Sequence, residues 1–177
     1  MDVRKTVLVG HSAEEMFDVI ESAERYPEFL PWCAGATIVA RSDSEVVADI
    51  EVDFHGVRFG FRTRNPKRRP EWMSIQLERG PFREFGGTWN LKPLGADGCH
   101  VDFDFSYHFD STPMARLARP VFDRIVNTLV DRFVARADAV CPGHGAAVAS
   151  SIVSATQTSR ESPTTTLDPN EPRSDPQ

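Results

Sequence analysis

The sequence predicts an α+β domain in which a strongly curved antiparallel sheet grips one long amphipathic helix at its C-terminal end. Three observations carry this. Apolar and polar residues alternate with period two between residues 48 and 109, whereas from Met114 to Val140 the apolar residues recur at helical spacing. His55-Gly56 divides two alternating runs so that a two-residue turn satisfies both faces at once. Gly86-Gly87 lies inside a further alternating run, where glycine marks a bulge or a sharp bend.

The elements follow in chain order. VRKTVLV (3–9) alternates weakly and reads as a first strand. Ser12 and Glu15 form an S-x-x-E capping box, and Ala13, Met16, Phe17 and Ile20 then bury one helical face. That helix stops before Pro27, because the residue preceding a proline is driven out of the α region. RYPEFLPWCAG (25–35) sets Tyr26, Phe29, Leu30 and Trp32 around two prolines and reads as a loop, too broken for helix or strand.

Ala48, Ile50, Val52 and Phe54 share one strand face; Val57, Phe59, Phe61 and Thr63 answer them after the turn. The register pairs Phe54 with Val57, Val52 with Phe59 and Ile50 with Phe61 inside, and Asp53 with Arg58 and Asp49 with Arg62 outside. Met73, Ile75 and Leu77 mark the next strand, and Phe85, Trp89 and Leu91 another. Cys99, Val101, Phe103, Phe105, Tyr107 and Phe109 mark the last and longest. Thr112-Pro113 opens the terminal helix, proline being harmless at the first helical position. Its apolar stripe is Met114, Leu117, Ala118, Val121, Phe122, Ile125, Leu129, Phe133, Ala137 and Val140, with Arg116, Arg119, Asp123, Arg124, Asp131 and Arg132 on other faces and a kink expected at Pro120. The helix ends at Cys141-Pro142-Gly143.

Composition bounds the class. The 177 residues, 40% aliphatic and aromatic and 26% charged, suit one globular domain. The apolar runs are shorter than a bilayer span of roughly 20 residues, and MDVRKTVLVG lacks the apolar stretch of a signal peptide, so the chain is expected to be cytoplasmic. Cys33, Cys99 and Cys141 are odd in number and form no CxxC pair, which points to reduced thiols with neither a disulfide framework nor a zinc site. A net charge of -6 argues against a dedicated DNA-binding protein. From Pro142 onward Gly, Ser, Thr and Pro dominate and no aromatic residue occurs. The expected organisation is therefore a domain at 1–141 and a disordered tail at 142–177.

Seven of the 12 phenylalanines, Phe54, Phe59, Phe61, Phe85, Phe103, Phe105 and Phe109, fall on inward strand faces. They read either as plain core or as the lining of a pocket. A pocket of about 300 Å³ left empty would cost about 7 kcal/mol, against a net stability of about 5–15 kcal/mol. A large pocket here must hold a ligand or water, or close when empty. Arg62, Arg64, Lys67, Arg68 and Arg69 cluster in RTRNPKRRP, at a strand end and turn, either as a solvated loop or as a contact to phosphate of anionic lipid or ribosomal RNA. His100, Asp102, Asp104 and His108 alternate on the outer face of the last strand and read as a solvated face, not a metal site. No Ser-His-Asp order, GxSxG, HExxH or phosphate-binding glycine loop occurs.

YPEFLPWC (26–33), GPFREFGGTWNLKPL (80–94), CHVDFDFSYHF (99–109) and the terminal helix together resemble the coenzyme-Q-binding branch of the START-like helix-grip (Bet v 1-like, SRPBCC) proteins. Bacterial members of that branch are called ribosome-association toxins. The resemblance covers residues 1–141; Leu91 stands where such proteins often carry an aromatic residue. It implies a sheet–helix cavity for a polyprenyl lipid, ubiquinone above all, held without a cofactor by a non-enzymatic quinone chaperone. Tyr26, Phe29, Leu30 and Trp32 would gate that cavity or simply plug the core. Phe54, Phe59, Phe61, Phe85, Trp89, Phe103, Phe105, Tyr107, Leu117, Val121, Phe122 and Ile125 would line it. The implied partners are the hydrophobic ligand, the inner face of the cytoplasmic membrane and respiratory or biosynthetic proteins. The alternative is a toxin that docks on the large ribosomal subunit through the basic turn and blocks subunit joining. The third reading is a polyketide-cyclase-like enzyme with Tyr107, His108 or Glu84 as acid or base.

Overall fold

A computed structural model describes residues 1–141, and the tail expected at 142–177 lies outside the described residues. The element order is β1 (Asp2–Val9), α1 (Ala13–Glu21), a 3₁₀ turn (Ala23–Arg25), α2 (Tyr26–Phe29), β2 (Cys33–Arg41), β3 (Glu45–Phe54), β4 (Val57–Arg68), β5 (Trp72–Arg79), β6 (Phe82–Pro93), β7 (Cys99–Phe109) and α3 (Thr112–Val140). The strands form one antiparallel sheet in the order β1-β7-β6-β5-β4-β3-β2. This is the helix-grip arrangement: a curved sheet with the long α3 across its concave face.

The local rules hold at α1 and at the first hairpin. Ser12 and Glu15 cap each other's backbone at 2.9 and 3.2 Å, and Ala13, Met16, Phe17 and Ile20 are buried. At the β3–β4 turn His55 and Gly56 take φ of 51° and 81°, the left-handed pair that a two-residue hairpin turn needs. Phe54 faces Val57, Val52 faces Phe59, Ile50 faces Phe61, Asp53 faces Arg58 and Asp49 faces Arg62, as the alternation requires.

Four features differ from the sequence reading. Residues 25–35 are not a loop throughout: a 3₁₀ turn and the short α2 occupy the first half, with Pro27 in the first turn, where a missing N–H costs nothing. β2 was not foreseen as a separate strand, because it is a sheet edge on which Cys33 alone is fully buried and alternation is weak. β4 does not end near Thr63 but runs to Arg68; Pro66 sits opposite Glu45 on the last rung shared with β3, where it interrupts little. The β6 irregularity lies between Phe82 and Glu84, and not at Gly86-Gly87, which pair in register with Ser106 and Phe105. Gly87 serves close approach instead, since a Cβ there would run into the Asp104 carbonyl and meet the Phe105 ring at 2.6 Å.

α3 buries Ala118, Phe122, Ile125, Val126, Val130, Phe133 and Ala137. Its C-terminal half also packs on α1, where the buried His11 meets Asp138 at 2.6 Å (Nε2–Oδ1).

Candidate functional site

The sheet–helix interface is a continuous ladder of aromatic rings. It begins at α2, where Tyr26, Phe29 and Phe133 stand mutually edge to face with centroids 5.3–5.9 Å apart. Phe133 meets Trp89 at 5.3 Å, Trp89 meets Phe103 at 4.3 Å, and Phe103 stacks on Phe105 at 5.8 Å. Phe105 passes to Phe85 at 4.9 Å, and Phe85 to Phe61 and Phe82. The far end is a cluster in which Phe122 of α3 touches Phe59, Phe82, Phe85, Tyr107 and Phe109 at 4.6–6.2 Å. Rings therefore fill the space in which an open hollow was one expectation. Closed packing of this kind meets the cavity cost of about 24 cal/mol per Å³ by removing the void.

The sequence-derived lining residues divide accordingly. Phe59, Phe61, Phe85, Trp89, Phe103, Phe105, Tyr107 and Phe122 join the ladder, and Val121 and Ile125 pack beside it. Phe54 is half-buried at the hairpin tip, its ring against His55 at 4.2 Å. Leu117 does not line the interior; it is 63% exposed. Ala118 takes the inward position, and adjacent residues of a helix point about 100° apart. In the 26–33 segment Leu30 and Trp32 are buried, and Tyr26, whose hydroxyl donates to the Ile20 carbonyl at 2.6 Å, closes the Phe133 end of the ladder together with Phe29. The hub Phe82 was missed. Strict period two cannot place both Phe82 and Phe85 inward, and the β6 irregularity is what allows it.

At the opposite end, beside the start of α3, a concavity of about 290 Å³ opens among Met1, Arg83, Tyr107, Phe109, Asp110 and Arg119. Tyr107 forms its inner wall and donates its hydroxyl to Asp123, a carboxylate that the helix pattern had assigned to an outer face. Burial, with Asp123 second, pushes the Tyr107 phenol well above its ordinary value, so it holds its proton. Burial likewise pushes Cys33 up to about 11 and Cys99 to about 12, which leaves protonated, poorly nucleophilic thiols. His108 pairs with Glu84 at 2.8 Å on the outer side of β7 and also lines this concavity.

The basic cluster is not a free cationic patch. Arg62 is bidentate to Asp49 at 2.6 and 2.8 Å; Arg64 bonds Glu45 and Glu78; Lys67 bonds Glu21; Arg68 bonds Glu71; and Arg69 bonds Asp18. The charges answer acids that come from neighbouring strands and from α1, which a local reading of RTRNPKRRP does not reveal. Arg62, with Arg79 at 3.1 Å, holds the Asp49 carboxyl down to about 2. The pair therefore contributes fully above the unfolded value near 4, and the contribution is lost as pH falls toward 2. Asp49→Asn is expected to flatten the acid limb of stability between pH 4 and 2, by about 1 kcal/mol because the pair is solvent-screened, read as urea midpoints across that range. An unchanged acid limb would contradict it.

A family model described as polyketide cyclase / dehydrase and lipid transport matches residues 9–134. The chain belongs to this family. Within it, the ribosome association toxin RatA of Pseudomonas aeruginosa is 32% identical over 135 residues, 76% of this chain and 94% of that protein. The mitochondrial coenzyme Q-binding protein COQ10 of Drosophila melanogaster is 25% identical over 134 residues, 73% of this chain and 55% of that protein. A solved START superfamily protein from Mycobacterium smegmatis matches the fold with a TM-score of 0.65 at 21% identity, covering 78% of this chain and 98% of that one. The resemblance read from YPEFLPWC and GPFREFGGTWNLKPL is thus borne out in family and fold. The family description joins cyclase chemistry to lipid transport, while the names of these two relatives are not those of enzymes. No helix among the described residues is long and apolar enough to cross a membrane.

Proposed function

We propose that this chain binds a hydrophobic isoprenoid lipid, a ubiquinone-type quinone first of all, between its sheet and α3. It would present that lipid to respiratory or biosynthetic partners at the inner face of the cytoplasmic membrane. The observation that carries the reading is the unbroken aromatic ladder from Phe29 to Phe122. It offers a long, apolar, chain-shaped path whose walls are rings. Because the rings fill the interface, a prenyl chain enters only as sheet and α3 move apart, and it then replaces ring–ring contacts with apolar contacts of the same kind. The lipid-transport description of the family and the coenzyme Q-binding relative support the same ligand class.

Organic extraction of the protein purified from its own host is expected to yield a polyprenyl quinone in near-stoichiometric amount; an extract free of isoprenoid lipid would sink the reading. The 26–33 segment is the gate in this account. Phe29 is half-buried, so Phe29→Ala is expected to cost only about 1 kcal/mol in unfolding free energy while quinone retention falls several-fold. Equal loss of both would make the segment a plug.

The second reading is favoured by the RatA relative, which this chain matches over 94% of that protein's length. It predicts cosedimentation with large ribosomal subunits. Docking through the 62–69 cluster would have to exchange exposed, solvent-screened carboxylate pairs of Arg64, Arg68 and Arg69 for phosphate.

A further inference from the structure

We propose that the concavity beside the start of α3 is the head-group site of the bound lipid, with Arg83 and Arg119 donating to its acceptor oxygens. This rests on the lipid-binding reading and specifies which end of the ladder receives the polar head: the end opposite the 26–33 segment, which then closes over the tail. Three features converge there. The inner wall is Tyr107 and Phe109, and both rings touch Phe122, at 4.6 and 6.0 Å, so a head seated in the concavity has its tail directed into the ladder. The volume, about 290 Å³, suits a single substituted ring or a compact polar head and not a whole polyprenyl lipid.

The third feature is charge. The lining carries the Met1 amine, Arg83, Arg119 and His108, the last paired with Glu84 at 2.8 Å, against Asp110 as its carboxylate. The Met1 amine already donates to the Tyr107 carbonyl at 2.9 Å. Arg83 has no ion-pair partner among the described residues, and Arg119 reaches Asp123 only at 4.0 Å. The arginines of the 62–69 cluster, in contrast, all hold carboxylates at 3.3 Å or less. Two guanidinium groups, one with no ion-pair partner among the described residues and one only loosely paired, therefore line a concavity at which the aromatic ladder meets solvent. Carbonyl and ether oxygens, as on a quinone ring, accept from these donors, and with three cationic groups against one carboxylate the concavity also accommodates a charged acceptor. The phosphate of a phospholipid offers the same acceptor chemistry.

The test compares a two-prenyl ubiquinone, inorganic phosphate and the oxygen-free prenyl hydrocarbon farnesene as ligands of the full chain, by tryptophan fluorescence. Arg83→Gln/Arg119→Gln is expected to weaken ubiquinone binding about 10- to 100-fold, the loss of charge-assisted hydrogen bonds, and to leave farnesene binding unchanged. Arg83→Lys/Arg119→Lys should recover part of the loss. Unchanged farnesene binding also shows that the variant is folded. Ubiquinone affinity that is equal in variant and wild type overturns the head-group site and leaves the lipid reading standing. Wild-type protein that binds neither prenyl compound overturns both. Arginine-dependent competition by phosphate at millimolar concentration supports the site with phosphate as the source of the oxygens.

Discussion

Phe122→Ala is expected to lower the unfolding free energy by about 3–5 kcal/mol and to make the loss recoverable by lipid. Phe122 is the ring of α3 on which Phe59, Phe82, Phe85, Tyr107 and Phe109 converge, and it is almost completely buried. Truncation removes the transfer free energy of the ring and leaves a void that five neighbouring aromatics, fixed to strands, fill only in part. An apolar void of that size stays dry and accepts apolar guests. Ubiquinone supplied at about 100 times its dissociation constant should return about 2.7 kcal/mol. Urea unfolding with and without the quinone measures both quantities. A loss below about 1 kcal/mol would mean that the ladder is not the packed core described here. A full loss with no recovery would mean that the ladder is core alone.

Lys67→Ala is expected to cost about 3 kcal/mol, far more than a residue in a basic surface run would. The Lys67 side chain is only 4% exposed, and its ammonium lies 2.6 Å from Glu21 of α1. Removing it strands a largely buried carboxylate, relieved in part by Arg41 at 3.8 Å, which places the cost at the low end of the range for a broken buried pair. Replacing both partners, as Lys67→Met/Glu21→Leu, should recover most of the loss, because an apolar pair needs no compensating charge. The thermal midpoints of the two variants measure this. A single variant within about 0.5 kcal/mol of wild type would show that the ammonium is solvated.

What was legible in the sequence follows from the range of the interactions involved. The β3–β4 hairpin could be read to the residue because turn chemistry, inner packing and outer ion pairs all lie within twenty positions and agree on one register. The capping box of α1 and the extent of α3 were legible for the same reason. Phe82 was hidden because an irregularity in β6 breaks the period on which an inward assignment rests. Leu117 was misplaced because an apolar residue in a helix fits the stripe by type even when its neighbour Ala118 takes the inward angle. The partners of the basic run were the least legible. Charge clusters are visible along the chain, but the acids that neutralise Lys67 and Arg69 sit 46 and 51 residues away, on a helix that meets β4 and the turn after it only in the fold. Asp123 was lost likewise, its partner Tyr107 being identified by tertiary contact alone.

The central claim is that prenyl lipid enters the ring ladder between sheet and α3. Nuclear Overhauser contacts between a two-prenyl ubiquinone and the aromatic protons of the full chain test it most directly. The account predicts contacts from the prenyl methyls to Phe82, Phe105 and Phe122. Contacts confined to exposed apolar residues such as Val39, Leu94 or Leu117, with the ladder resonances unmoved, would contradict it.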